Sequence, residues 1–412
     1  MTPLSQAVHL ADLRSSTLEK IAMNKSVIAL AVLGAFAGAA AAQSSVTLYG
    51  RADANITYSD RGSILDGNSR TSLYDGGANS GIGGSRFGLR GVEDLGDGLK
   101  AFFLLESGFN IDTGGQENAN SGSAANPQRL FSRLAYVGLS SSNLGEIRLG
   151  RQESISRQMN AIGDVSTLGE LKTDETVIIG SATDRTVASS GAQLFQTFGQ
   201  RIDNSAVYIS PSFSGLQLQA MVAAGEGTQP RYQGAMLTYK SGPIVIGLSY
   251  DEQAEFGTAA TNPISADGSF NKTIAIAGSY DFGIAKVHAG FQDVSDVANA
   301  YSAGTTVAGT AVGNVEDQQA YTVGVMVPFG NWQFRATYIN ADYDIVGGGS
   351  EDIQKYGVSA RYAFSKRTTA YAAVTARTGS GNVSDSASTL RRYNEDWFAQ
   401  KNEFTVGIAH TF

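Results

Sequence analysis

Apolar and polar residues alternate along this chain with a period of two, in run after run from residue 46 to residue 412. Residues 101–110 show it plainly. Ala101, Phe103, Leu105, Ser107 and Phe109 fall on one side, Phe102, Leu104, Glu106, Gly108 and Asn110 on the other. That period puts successive side chains on opposite faces of a β-strand. Just before it, Phe87 and Leu89 alternate with Arg86 and Arg90, and Leu95-Gly96-Asp97-Gly98 supplies glycines for a tight reversal, so 85–111 reads as a hairpin. The same reading predicts strands at 46–58, 129–140, 146–152, 206–210, 216–222, 231–240, 244–251, 274–280, 284–291, 321–327, 332–343, 353–364, 368–377 and 402–412.

The connections have two lengths. Seven tight turns, at 95–98, 141–145, 211–215, 241–242, 281–283, 328–330 and 365–367, alternate with long polar segments at 59–84, 112–128, 153–200, 225–230, 253–270, 294–318, 344–351 and 379–401. Seven short and eight long connections join sixteen strands, with both termini at the short-turn end. Strand after strand carries charge opposite an apolar face, and past residue 42 no helical pattern is available to cover that face. This is the pattern of an all-β, 16-stranded antiparallel transmembrane β-barrel, with lipid outside, water inside and its external loops on one end. Closure also removes sheet edges that lipid would leave unsatisfied. A secreted or surface β-sandwich is the competing architecture. It would bury its apolar faces against each other and need no detergent.

Composition changes this picture little. Of 412 residues, 42% are hydrophobic and none is cysteine, so neither disulfides nor thiol chemistry arise, which suits an oxidising periplasm. Mean hydropathy is −0.11. The exception is 23–42, where Lys25 precedes the apolar run 27–37 and Ala40-Ala41-Ala42 forms a small-residue cleavage site. These residues predict a signal peptide, a mature start at Gln43, and a non-native upstream extension over 1–22, leaving 43–412 as the barrel. Removing 1–42 takes away three basic and two acidic side chains and moves the net charge from −8 to −9. An acidic barrel gives no reason to expect nucleic acid as a partner.

The run SRFGLRGVEDLGDGLKAFFLLESGFN, with VTLYGRADANITY before it and LAYVGLSSSNLGEIRLGRQ after it, resembles the general trimeric porins of Gram-negative outer membranes, in their Bordetella–Burkholderia–Neisseria branch. The resemblance extends from Val46 to Phe412 in ordered motifs. It implies a homotrimer in outer-membrane lipid and lipopolysaccharide, inserted by the outer-membrane barrel assembly machinery and passing small hydrophilic solutes and ions. It implies that the third external loop, 153–200, folds inward as a constriction. By motif position the basic wall would be Arg51 of LYGRAD, Arg86 of SRFGLRG and Arg151 of LGRQ, with Arg201 just before the next strand. The acidic partners would be Asp164 and Glu170, although this loop departs from the family's acidic Pro-Glu-Phe-Gly-Gly-like run. The terminal Phe412 would be the membrane-insertion signal. Arg90, Arg148, Arg335 and Arg361 also alternate onto the polar face and are assigned no special role.

Physically, opposed charge rows across a narrow aqueous gap create a transverse field, and arginine stays charged throughout the physiological range. Tyr58, Trp332, Tyr338, Tyr362, Phe364 and Phe412 fit aromatic girdles on the apolar face. Enzyme chemistry finds little purchase. After residue 42 the only histidines are His288 and His410, far apart, with no serine and acid grouped around either, so no metal, cofactor or catalytic residue is expected. No helix follows Gly81-Ile82-Gly83-Gly84, so it is not a phosphate loop. The function expected is a general diffusion porin, a water-filled channel for ions and small hydrophilic solutes. The alternative is a substrate-selective channel for anions or small organic acids on the same fold.

Overall fold

The structure, a computed structural model, describes residues 45–60, 69–76, 81–117, 129–174, 176–179, 190–197, 199–225, 231–254, 270–295, 306–307, 310–311, 315–345, 350–382 and 401–412. The upstream extension 1–22 and the signal peptide 23–42 lie outside the described residues. The strands are β1 (Ser45–Asp60), β2 (Arg70–Asp75), β3 (Arg86–Gly96), β4 (Leu99–Gly108), β5 (Leu134–Ser141) and β6 (Gly145–Glu153). Helix α1 (Ile155–Gly163) and a small hairpin, β7 (Thr176–Ile179) with β8 (Ser190–Gln193), follow. Then come β9 (Arg201–Ile209), β10 (Leu216–Ala223), β11 (Tyr232–Ser241), β12 (Ile244–Ala254), β13 (Phe270–Asp281) and β14 (Lys286–Ser295). Beyond a two-residue pair, β15 (Thr306–Val307) and β16 (Thr310–Ala311), lie β17 (Val315–Phe329), β18 (Trp332–Ile345), β19 (Ser350–Ala363), β20 (Thr368–Asn382) and β21 (Lys401–Thr411).

Every neighbouring pair in the large sheet is antiparallel, and β21 returns to β1 from Arg51↔Thr411 through Asp60↔Asn402. β2 and β3 both pair with β1, end to end, and count as one interrupted strand. The described residues therefore form a closed barrel of sixteen strands. No edge is left to satisfy. The seven short turns join the predicted pairs. At the first of them Asp97 and Gly98 take positive φ (51° and 77°), so the glycine there is a backbone requirement.

Burial is inverted relative to a water-soluble sheet. On β12 and β13, Leu248, Ile274 and Ile276 are about half exposed, while Ser249, Asp251 and Thr273 between them are buried. On β1, Leu48 and Ile56 point outward and Asp53, Asn55 and Thr57 inward. This continuous outer apolar surface, with polar side chains enclosed, is what lipid outside and water inside demand.

The structure corrects the strand limits. The segment 59–84 is not all loop: β1 runs to Asp60 and β2 lies within it. Conversely β5 starts at Leu134, so 129–133 is not strand. Elsewhere strands extend beyond their alternating cores, as in Phe270–Asp281 against 274–280 and Val315–Phe329 against 321–327. The reason is that a backbone ladder continues above the lipid band, where both faces are polar and periodicity carries no information.

Candidate functional site on the inner wall

The segment after β6 starts with helix α1. Ser154 caps it by accepting from the Arg157 amide (3.3 Å). The Ile155 amide donates to the Tyr232 hydroxyl (2.8 Å), which in turn donates to the buried Asp251 carboxylate (2.9 Å). Ile155, Met159 and Ile162 recur at helical spacing and pack toward β11–β14. The wall is built to receive them. A Cβ on Gly234 would meet Ile155 at 3.1 Å, and one on Gly247 would meet Met159 at 2.9 Å. Further along, a Cβ on Gly324 would lie 2.7 Å from Val165 and one on Gly357 2.8 Å from Leu171. These glycines occupy the polar-face parity of their strands. The return arm is pinned likewise: Gln292 donates to the Gln196 carbonyl and accepts from its amide, while Gln318 and Tyr343 donate to the Gln193 carbonyl.

The two predicted loop carboxylates have different surroundings. Asp164 closes its own turn. It accepts from the Ser166 amide and hydroxyl (2.6 and 2.7 Å) and from the Thr173 amide (2.7 Å). Complete burial pushes its pKa up against those donors. Glu170 reaches across to β18 and β19. Ser359 donates to it at 2.7 Å, Arg361 grips it with Nε (2.9 Å) and Nη2, and Arg335 stands 3.8 Å away. Burial opposes its ionisation, but these guanidiniums outweigh burial and hold its pKa below the ordinary glutamate range. Arg335 and Arg361, given no role from sequence, are thus Glu170's partners.

The predicted basic residues lie on neighbouring strands. Arg51 and Arg86 are directly paired across β1 and β3. Arg51 donates to the Ile82 carbonyl (2.8 Å) and Arg86 to the Gly83 carbonyl (3.3 Å). Arg86 also stands 3.8 Å from Glu106, whose nearer partners are Arg133 (2.7 Å) and the Tyr49 hydroxyl (3.0 Å). Arg151 is paired with Asp203 and donates to the Ser132 carbonyl. The Arg201 guanidinium makes a long contact to Gln200 (3.4 Å), and its carbonyl accepts from Arg151. From β18 round through β1 to β9, Arg335, Arg361, Arg51, Arg86, Arg133, Arg151 and Arg201 form an arc. The loop's helix packs on the opposite side, β11–β14. Where the loop meets this arc a small recess is lined by Gly83, Glu117 and Arg133 of the wall side and by Arg157, Gly169, Lys172 and Asp174 of the loop.

Sequence reasoning passed over Arg133, Arg335 and Arg361. The last two were visible as arginines on the polar parity, but only the barrel's curvature brings them to Glu170. Phe412 sits at the closing seam, exchanging backbone hydrogen bonds with Gly50 (3.0 and 3.1 Å) and laying its ring over that glycine.

Known proteins agree with this architecture. An outer membrane porin protein of Bordetella pertussis is 31% identical over 395 residues, spanning 85% of this chain and 93% of that one. Outer membrane porin protein 32 of Delftia acidovorans is 33% identical over 316 residues, 72% of this chain and 80% of that one. The solved anion-selective porin from Comamonas acidovorans superposes with a TM-score of 0.63 at 26% identity, covering 90% of this chain and all of that one. Residues 29–382 match the Gram-negative porin family. An enclosed polar lumen, an outward apolar band and this ancestry together place the chain among the Gram-negative porins, as a channel of the outer membrane.

Proposed function

We propose that the segment 153–200 narrows this porin's channel and that ions and small hydrophilic solutes pass between that segment and the arginine arc, anions more readily than cations. One observation carries the reading: Arg51 is tethered by the Ile82 carbonyl, and Arg86 by the Gly83 carbonyl with a longer contact (3.8 Å) to Glu106, a carboxylate that sits closer to Arg133 (2.7 Å). A carbonyl orients a guanidinium and leaves its charge whole. Meanwhile Asp164 is consumed by its own turn and Glu170 by Arg361 and Arg335, so neither opposes Arg51 and Arg86 across the gap. In a narrow water path with low-dielectric walls, the excess positive charge on that side acts more strongly than in bulk water. The anion-selective neighbour supports this reading, which refines the general diffusion function.

The assembly belongs to the same proposal. The chain is exported with the 23–42 leader removed and forms a homotrimer in lipid and lipopolysaccharide after insertion by the barrel assembly machinery. No catalytic step is assigned to it. The relatives are channel proteins, not enzymes.

Reversal potential in planar bilayers across a salt gradient tests the selectivity. Arg51→Gln with Arg86→Gln should move it toward cations. The shift should shrink between 0.1 M and 1 M salt, as the Debye length falls from about 10 Å to about 3 Å. An unchanged potential at low salt would place the selecting charges elsewhere.

A further inference from the structure

The interruption between β2 and β3 is a second built element of the site. Asp75 pairs with Ala54 and Arg86 with Arg51, so β1 spends only Ala52 and Asp53 opposite the whole interval from Gly76 to Ser85. Its described residues, Gly76 and 81–85, act on the wall as a bulge does, re-aiming neighbouring side chains. They are tied down at both ends. The Gly76 amide donates to the Asp53 carbonyl (2.8 Å), and the Ile82 amide donates to the Asp53 carboxylate (2.9 Å). Ser85 accepts from the Asp53 amide (2.9 Å), and its own amide donates to the Asp75 carboxylate (3.2 Å). Tyr371, reaching in from β20, donates to the other Asp53 oxygen (2.7 Å). Gly76 and Gly81 touch so closely that a Cβ on Gly81 would lie 2.2 Å from the Gly76 Cα.

The anchored backbone ends on the two carbonyls that hold the arginines, Ile82 for Arg51 and Gly83 for Arg86. Gly83 adopts φ +145°, and a Cβ there would lie 2.4 Å from Arg51 Nη1. The glycine therefore leaves the space that the Arg51 guanidinium fills.

We propose that Asp53, Gly83 and Ser85 are positioning residues for charge selection: through the bulge they fix where the Arg51 and Arg86 guanidiniums stand in the channel. The proposal rests on the reading of those arginines as the selecting charges. It goes beyond that reading because it assigns part of the selectivity to buried and backbone-shaping groups that never meet the ion. Asp53 is itself fully buried, and its carboxylate acts as an anchor for N–H and O–H donors.

A double-mutant cycle on the full-length protein tests this, with reversal potential at 0.1 M salt as the readout. Gly83→Ala changes no charge, yet its methyl must displace the Arg51 head group. Moving a unit charge from about 6 Å to about 8 Å from a passing ion, at an effective dielectric of about 20, changes the weight of each ion about threefold in opposite senses for anion and cation, and so their permeability ratio about tenfold. We expect that change in the native background and no further change when Gly83→Ala is added to Arg51→Gln, where nothing remains to be displaced. Ser85→Ala, a milder release of the same bulge, runs through the same cycle should Gly83→Ala fail to assemble, and it should likewise lose its effect in the Arg51→Gln background. Equal shifts in both backgrounds, or none in the native one, overturn the positioning role. The Arg51→Gln arm separates the two levels. If it leaves the potential unmoved, the selecting-charge reading has failed and this proposal with it. If it moves the potential while neither Gly83→Ala nor Ser85→Ala does, only the positioning role fails.

Discussion

Glu170→Gln is the perturbation with the clearest consequence for the seated loop. The native carboxylate is fully enclosed and meets two guanidiniums and a serine hydroxyl, while the Arg361 side chain keeps 17% exposure. Removing one partner of a buried ion pair costs about 3–5 kcal/mol, because the other charge is left uncompensated. Here lumen water can reach part of Arg361, so about 2–3 kcal/mol is expected. At about 1.4 kcal/mol per decade, the seated arrangement loses a factor of about 30–150 against looser ones. The rest of the seat remains: Val165 and Leu171 in their glycine notches, and Lys355 donating to the Lys172 carbonyl (2.9 Å). The barrel should therefore assemble while single-channel current becomes noisier. Thermal unfolding in detergent should begin earlier. The pH dependence has a definite sign. Because the folded pKa of Glu170 lies below its ordinary value of about 4.3, its contribution is complete above that value and lost as pH falls through the depressed one. Glu170→Gln should lose that acid-side slope. A variant with native noise, native melting and a native acid profile would refute this account of the clamp.

Two further outcomes follow from the barrel itself. Ile276→Arg puts a charge on the outer face of β13, where the native side chain is 49% exposed, and should cost roughly 2–4 kcal/mol and reduce folded protein in outer-membrane fractions. Thr273→Ser, on the enclosed face of the same strand, should leave that yield unchanged, and equal losses would mean the faces are assigned wrongly. Deleting Phe412 removes its two backbone hydrogen bonds to Gly50 and the ring over that glycine, so quantitative blotting of membrane fractions should show less assembled channel than deletion of a single external-loop residue produces.

Alternation between neighbours along the chain is a local property, and the sequence carried it in full. It made strands of the right parity, put Leu248 and Ile276 outside and Asp53 and Glu106 inside, and the short turns counted out sixteen strands. The family motifs marked Arg51, Arg86 and Arg151 in the same way, as local strings. What could not be read locally is which charges meet. Glu170 and Arg361 are 191 residues apart, and only closure of the barrel, with the loop laid along the wall to β19, brings them together. The seat for that loop was equally hidden. Gly324 and Gly357 look like weak points in an alternating strand until Val165 and Leu171 arrive to fill the space above them. The anchored stretch 81–85 escaped for a related reason: a polar, glycine-rich string reads as loop, and only its hydrogen bonds to Asp53 and Asp75 show that it is built. Period two reports which face a residue takes, because that depends on its nearest neighbours in the chain. Ion pairs, seats and bulges depend on segments far apart in sequence, so they exist only once the sheet has closed on itself.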